Sequence, residues 1–121
     1  MGIKILLVED DESFARYVLK VLSKTDFDVI DYASGPEKAL DTIKDTDYDL
    51  IISDVNMPKI NGFEMAKRII KIKKGKIKFI FISGFVDKIT DDDPALNKLS
   101  LFISKPFKPE VLLKAIEDIL K

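Results

Sequence analysis

Along the chain, short blocks of consecutive apolar residues alternate with stretches in which apolar residues recur every three or four positions. Ile3–Val8, continuously apolar after Lys4, predicts a strand buried on both faces. Val29–Ala33, Leu50-Ile51-Ile52 running on to Asp54, "KFIFISG" ending at Ser83-Gly84, and Leu101–Ile103 predict four more strands. Between them the period changes to that of a helix. Phe14, Val18, Val21 and Leu22 share one face, with Ser13 placed to cap it. "SGPE" predicts the next helix start, with Ser34 as N-cap, Pro36 early and Glu37 completing a capping box. "NGFE" repeats that logic with Asn61 and Glu64, and its helix runs to about Lys74 and stops near Gly75. From Phe85 to Leu99 the pattern is weakest, and a short helix with Asp93 as cap and Pro94 in the first position is expected there. Lys108-Pro109 opens a last helix with Val111, Leu112, Ala115, Ile116, Ile119 and Leu120 on one stripe.

Five strand–helix units in succession predict an α/β fold: a doubly wound, five-stranded parallel sheet with helices on both faces. The crossovers are expected to be right-handed. In such sheets ligands bind beyond the carboxyl ends of the strands, at the point where the strand order reverses. With 121 residues and no repeat, linker or low-complexity segment, a single domain spanning 1–121 is expected.

Composition narrows the chemistry. Twenty basic residues face 21 acidic ones, so the net charge of −1 gives no global field toward nucleic acid or anionic lipid. No apolar run approaches the roughly 20 residues that span a bilayer. The opening "MGIKILLVEDD" meets acids too early for a signal peptide, so a cytoplasmic location is expected. There is no cysteine and no histidine. Disulfides, Cys-based zinc sites, Ser-His-Asp triads and phosphohistidine chemistry on this chain are thereby excluded.

What remains at the strand ends is carboxylate, hydroxyl and ammonium. The first strand runs into Glu9, Asp10, Asp11 and Glu12; the third ends in Asp54; the fourth ends in Ser83; the fifth ends near Lys105. Like charges crowded beside a buried strand need a cation. An all-oxygen donor set suits a hard ion such as Mg²⁺. Ser83 and Lys105 are donors of the kind that hold phosphoryl oxygens. Each residue also has an ordinary reading. Asp11 and Glu12 suit a solvated helix start, Asp54 a strand-ending turn, Ser83-Gly84 a loop start, Lys105 a solvated lysine and Phe102 plain core.

The segments "LLVEDD", "SDVNMPKINGFE", "FISG" and "SKPF", at these positions, resemble the response-regulator receiver domains of two-component signalling over essentially the whole chain. The resemblance implies the flavodoxin-like (βα)5 fold with strand order 2-1-3-4-5. It implies Asp54 as phosphoacceptor and Glu9 with Asp10 as the acidic pair. Asp10 would touch the metal directly and Glu9 through water, with the backbone carbonyl of Asn56 as a further ligand and Mg²⁺ or Mn²⁺ as the ion. Ser83 matches the switch hydroxyl, Lys105 the lysine that pairs with the phosphoryl group, and Phe102 the aromatic that rotates between states. Lys105-Pro106 matches the family's cis peptide bond.

On this resemblance, the chain takes a phosphoryl group from a phosphohistidine of a sensor kinase or histidine phosphotransfer protein. It then switches the surface of the fourth helix, fifth strand and fifth helix for a downstream protein partner or a relay. It is expected to be a monomer or a phosphorylation-dependent dimer, without direct nucleic-acid contact. It would act as a self-catalysed phosphoprotein, not a dedicated enzyme. A constitutive interaction module on the same fold is the alternative. A haloacid-dehalogenase-type phosphatase would need an acid two residues beyond Asp54, where Asn56 stands, and a flavodoxin-like carrier would need a Ser/Thr/Gly-rich phosphate loop after the first strand.

The chain departs from the family's commoner pattern in places. Ser83 stands for Thr and Phe102 for Tyr, the Asp-rich segment before the fifth strand lacks an Ala-Gly turn, and Phe85 is bulky. Phe85 is expected to shield an acyl phosphate from water, so that Phe85→Ala would hasten its decay.

Overall fold

The computed structural model of the chain describes residues 2–74, 76–84 and 93–121. Five strands and five helices alternate among them: β1 (Lys4–Val8), α1 (Glu12–Leu22), β2 (Val29–Ala33), α2 (Pro36–Asp45), β3 (Leu50–Asp54), α3 (Gly62–Lys73), β4 (Lys78–Ser83), α4 (Pro94–Lys98), β5 (Ser100–Ser104) and α5 (Pro109–Ile119). All strand pairs are parallel, and the order is β2-β1-β3-β4-β5. After β2 the chain crosses to the other side of β1, so the order reverses between β1 and β3.

Side-chain alternation along the strands divides the core into two layers. Leu6, Val8, Ile51, Phe79 and Phe81 face α2, α3 and α4 through Ala39, Ile43, Phe63, Met65, Ala66, Ile69 and Leu96. Ile5, Leu7, Leu50, Ile52, Ile80, Ile82 and Ile103 face α1 and α5 through Ala15, Val18, Leu22, Leu112 and Ile116. β3 is buried along its whole length, as its unbroken apolar run predicts.

Several helix starts differ from expectation. α1 is capped by Asp11, not Ser13: its carboxylate accepts from the Ser13 and Phe14 amides at 3.0 and 3.2 Å. A negative cap here also meets the positive end of the helix dipole. α2 begins one residue later than "SGPE" suggests. Gly35, in extended backbone, is the N-cap, Pro36 occupies the first turn, and no side chain caps the end. The capping box therefore does not form, and Glu37 instead pairs with Lys59 at 2.8 Å. Asn61 does cap α3, accepting from the Glu64 amide at 2.9 Å. That helix closes on Lys74 in the left-handed conformation, φ 56; the expected stop at Gly75 lies outside the described residues. Asp93 caps α4 through the Ala95 amide at 2.9 Å, with Pro94 in the first turn as expected. On α5 the stripe is narrower than predicted: Leu112 and Ile116 are buried, whereas Val111 lies 47% exposed on the water side.

Where an Ala-Gly turn is missing before β5, two hydrogen bonds make the connection. Phe79 N donates to Leu99 O at 2.8 Å, and Ser100 Oγ donates to Leu96 O at 2.6 Å.

Candidate functional site

Strand register brings the acids together. Val8 lies beside Ser53, so Glu9 emerges next to Asp54. Backbone bonds continue past the strand ends: Glu9 N to Ala33 O at 3.1 Å, Val55 N to Ile82 O at 3.1 Å, and Lys105 N to Ser83 O at 2.8 Å. The carboxyl ends of β1, β3, β4 and β5 thus form one edge that carries Glu9, Asp54, Ser83 and Lys105.

Carboxylate oxygens of Glu9, Asp10 and Asp54 all lie within 4.8 Å of one another. Glu9 is 1% exposed and Asp54 8% exposed, while Asp10 reaches solvent. The Lys105 ammonium stands 3.4 Å from Asp54 Oδ2 and 3.8 Å from Glu9 Oε1. Among the described residues, this ammonium pairs with two of the three carboxylates, Glu9 and Asp54. Burial raises the Glu9 carboxyl to about 7, and the neighbouring Asp54 charge adds to this; the Asp11 amide, which donates to Glu9 Oε2 at 3.1 Å, and the Lys105 charge oppose it. Such a cluster, oxygen-only and short of positive charge, fits a hard divalent cation. Asn56, whose carbonyl was expected as a further ligand, lies exposed just past β3.

Ser83 is 3% exposed at the end of β4, and alternation puts it on the same face as Phe79 and Phe81. Phe102 is half-buried on β5. Its ring stacks on Phe81 at 5.7 Å and meets Phe63 edge-on at 6.1 Å. The Lys105-Pro106 peptide bond is cis, as the resemblance implied. Phe85 lies outside the described residues.

Three contributors carry no signal in the sequence pattern. The Tyr32 hydroxyl donates to Glu9 O at 2.8 Å and ties β2 to the turn that holds the acidic pair. The ring of Phe14 lies against the Lys105 ammonium, 4.1 Å from its centroid. Gly62 packs directly on the Asp54 carbonyl, where a Cβ would overlap it, and its amide donates to Val55 O at 2.8 Å. The Gly of "NGFE" was legible as a turn residue, but not as the residue that lets α3 approach the site strand.

Within the loop between β3 and α3, Ile60 N donates to Pro58 O at 2.9 Å across Lys59, which has φ 74. This tight γ-type turn sits just beyond Asn56 and turns the chain back toward α3.

The description "response regulator receiver domain" fits residues 5–117. The chain belongs to that family. It is 31% identical to the response regulator receiver protein CpdR of Brucella abortus, over 97% of this chain and 96% of that one. It is 30% identical to the chemotaxis protein CheY of Thermotoga maritima over the full length of both. The structure of CheY4 from Vibrio cholerae superposes with a TM-score of 0.83 at 26% identity, covering 99% of this chain and 100% of that one. A CheY-like receiver domain from Methanospirillum hungatei shares the fold with a TM-score of 0.85 at 24% identity, over 99% of this chain and 94% of that one. Membership in this family supports a phosphoacceptor receiver role. No helix among the described residues is long and apolar enough to cross a membrane.

Proposed function

We propose that the chain is a phosphorylation-switched signalling domain in which Asp54 accepts a phosphoryl group from a phosphohistidine of a sensor kinase or histidine phosphotransfer protein. The observation that carries this reading is one carboxylate set between a cation and two other acids. Asp54 lies 3.4 Å from the Lys105 ammonium and within 4.8 Å of Glu9 and Asp10 carboxylate oxygens. The Lys105 ammonium holds this carboxylate on one side and the two acids crowd it on the other, while its remaining exposure leaves a face for an incoming phosphorus.

In the transfer, an Asp54 oxygen forms a bond to phosphorus as the P–N bond breaks, and that electron pair returns to the donor imidazole. Lys105 offsets charge on the equatorial oxygens, so the chain contributes positioning and electrostatics more than covalent chemistry. Mg²⁺ or Mn²⁺, held by Asp10 and Asp54 directly, by the Asn56 carbonyl and by Glu9 through water, would supply further positive charge to those oxygens when bound. The acyl phosphate adds up to about two negative charges beside Glu9. Ser83 turns to donate to it, Phe102 turns inward into the space Ser83 leaves, and the face of α4, β5 and α5 is repacked for a protein partner. Hydrolysis of the acyl phosphate resets the domain, so the chemistry is self-directed and the chain is not a dedicated enzyme. It acts in the cytoplasm.

The test is the intact mass after incubation with acetyl phosphate and Mg²⁺, beside Asp54→Asn and a metal-free control. A phosphoryl adduct that requires both Asp54 and the metal is expected. A folded protein that forms no adduct and binds no Mg²⁺ would overturn the proposal in favour of a constitutive interaction module.

A further inference from the structure

We infer that Phe14 is a positioning residue that keeps the Lys105 ammonium aimed at Asp54 through the face of its ring. The inference rests on the phosphoacceptor reading for its consequence, but not for its geometry.

Lys105 Nζ lies 4.1 Å from the Phe14 centroid. The same ammonium is 3.4 Å from Asp54 Oδ2 and 3.8 Å from Glu9 Oε1. Three different groups therefore surround one cation, two of them charged and one a π face. The lysine side chain is 28% exposed, so without a wall on its open side the long flexible stem is free to carry the charge into water. An aromatic face attracts a cation through its quadrupole and excludes water from that side.

The ring is itself held firmly. The Phe14 amide is bound by the α1 cap, Asp11, at 3.2 Å. Its ring meets Phe107 edge-on at 5.9 Å and 88°, and Tyr17 packs against both, at 6.1 and 5.9 Å. The Tyr17 hydroxyl donates to Phe107 O at 3.3 Å, closing the cluster onto the loop that follows Lys105. Thus α1 and the β5–α5 loop are joined by an aromatic cluster whose inner edge supports the lysine.

A ring suits this position better than a third acid would. A carboxylate in its place would engage the N–H donors and add to the repulsion already present around Glu9. The π face is uncharged and weakly directional. It leaves the three N–H bonds of the ammonium to oxygens, and lets the head shift as the acceptor grows from a carboxylate to an acyl phosphate.

Two readouts test this, one of them independent of phosphorylation. In protein carrying isotope-labelled lysine, NMR should find the Lys105 ε-methylene protons moved upfield by the ring, with or without Mg²⁺. Phe14→Leu should abolish that shift and slow phosphorylation by acetyl phosphate about 3- to 10-fold. Phe14→Tyr, which keeps the face, should restore both to near the parent values. Phe14→Met, bulky but without a π face, serves should the leucine variant not fold. In a Lys105→Ala background the same substitutions should cost no further rate. An ε-methylene shift absent from the parent protein, or one that survives Phe14→Leu, would overturn the inference, as would an equal rate loss without Lys105. If the parent takes no phosphoryl group at all, the phosphoacceptor reading fails, and the ring shift alone still decides whether Phe14 positions the lysine.

Discussion

Gly62, the first residue of α3, lies directly against the backbone carbonyl of Asp54, so that a Cβ on it would overlap that oxygen and press on Ser53 Oγ at 3.1 Å. The obstacle is main chain, which cannot turn aside as a flexible side chain would. Gly62→Ala must therefore push α3 from β3 or shift Asp54 itself. Overpacking of this kind costs about 1–3 kcal/mol, and chemical denaturation should register the loss as a lower midpoint. Gly35, which caps α2 in open space, is the contrast: Gly35→Ser adds a capping oxygen and should be neutral or stabilising by a few tenths of a kcal/mol.

The identity of the α1 cap gives a second expectation. Asp11 accepts from both the Ser13 and Phe14 amides. Asp11→Ala should cost about 1 kcal/mol, whereas Asp11→Asn keeps an accepting oxygen and should stay near the parent. Ser13→Ala should be nearly silent. Urea midpoints of the three variants discriminate the caps. The opposite ranking, with Ser13→Ala the damaging change, would return the cap to Ser13.

These two sites show what could be read from the chain and what could not. Strand and helix order followed from period alone, because Ile5–Val8 and Leu50–Ile52 are too apolar for any place but a doubly covered sheet. Gathering of Glu9, Asp54, Ser83 and Lys105 followed from that order, since each closes a parallel strand at the same edge. Caps were less legible. Asp11 and Ser13 are both good caps by composition, and Ser34 lost to Gly35 because the helix starts at Pro36. The supporting contacts were not legible at all. Phe14 reaches Lys105, and Tyr32 reaches Glu9, from elements distant in sequence, and Phe14 lies on a helix face where core packing alone would account for it.

Tyr48 supplies a pH dependence remote from the acidic site. It is 4% exposed, and its hydroxyl donates to Asp31 Oδ2 at 2.5 Å. Burial raises its phenol well above the ordinary value, and the Asp31 hydrogen bond and charge raise it further. The unfolded chain ionises near the ordinary value of about 10. Above that pH the unfolded state loses a proton that the folded state keeps, so this contribution to stability is complete below about pH 10 and is lost as pH rises toward the folded value. Tyr48→Phe removes both the hydrogen bond and the titration. The stability gap between parent and variant should therefore be largest near neutrality and shrink as pH climbs through about 10. Denaturation midpoints measured on both proteins across that range check it; a gap that stays constant or widens would contradict the Tyr48 assignment.

The charge balance at the strand edge leads to the last expectation. Glu9, Asp10 and Asp54 bring three carboxylates within 4.8 Å, and among the described residues Lys105 is the cation paired with two of them, Glu9 and Asp54. Without a divalent ion the surplus negative charge opposes folding, because unfolding lets the three acids separate. Asp10, the most exposed of them, is the one whose neutralisation disturbs the least packing. Asp10→Asn should accordingly be as stable as the parent, or more so, in the presence of chelator. With Mg²⁺ the order reverses. An ion that binds only the folded state stabilises it by about 2.7 kcal/mol at a hundredfold excess over its dissociation constant, and the variant lacks a carboxylate to hold it. The parent should rise in urea midpoint as Mg²⁺ is added, at constant ionic strength, while Asp10→Asn rises little. Equal gains in both proteins would mean that the ion acts elsewhere or by screening alone. A parent more stable than Asp10→Asn even in chelator would mean that Asp10 is held by the protein itself and is not waiting for a metal.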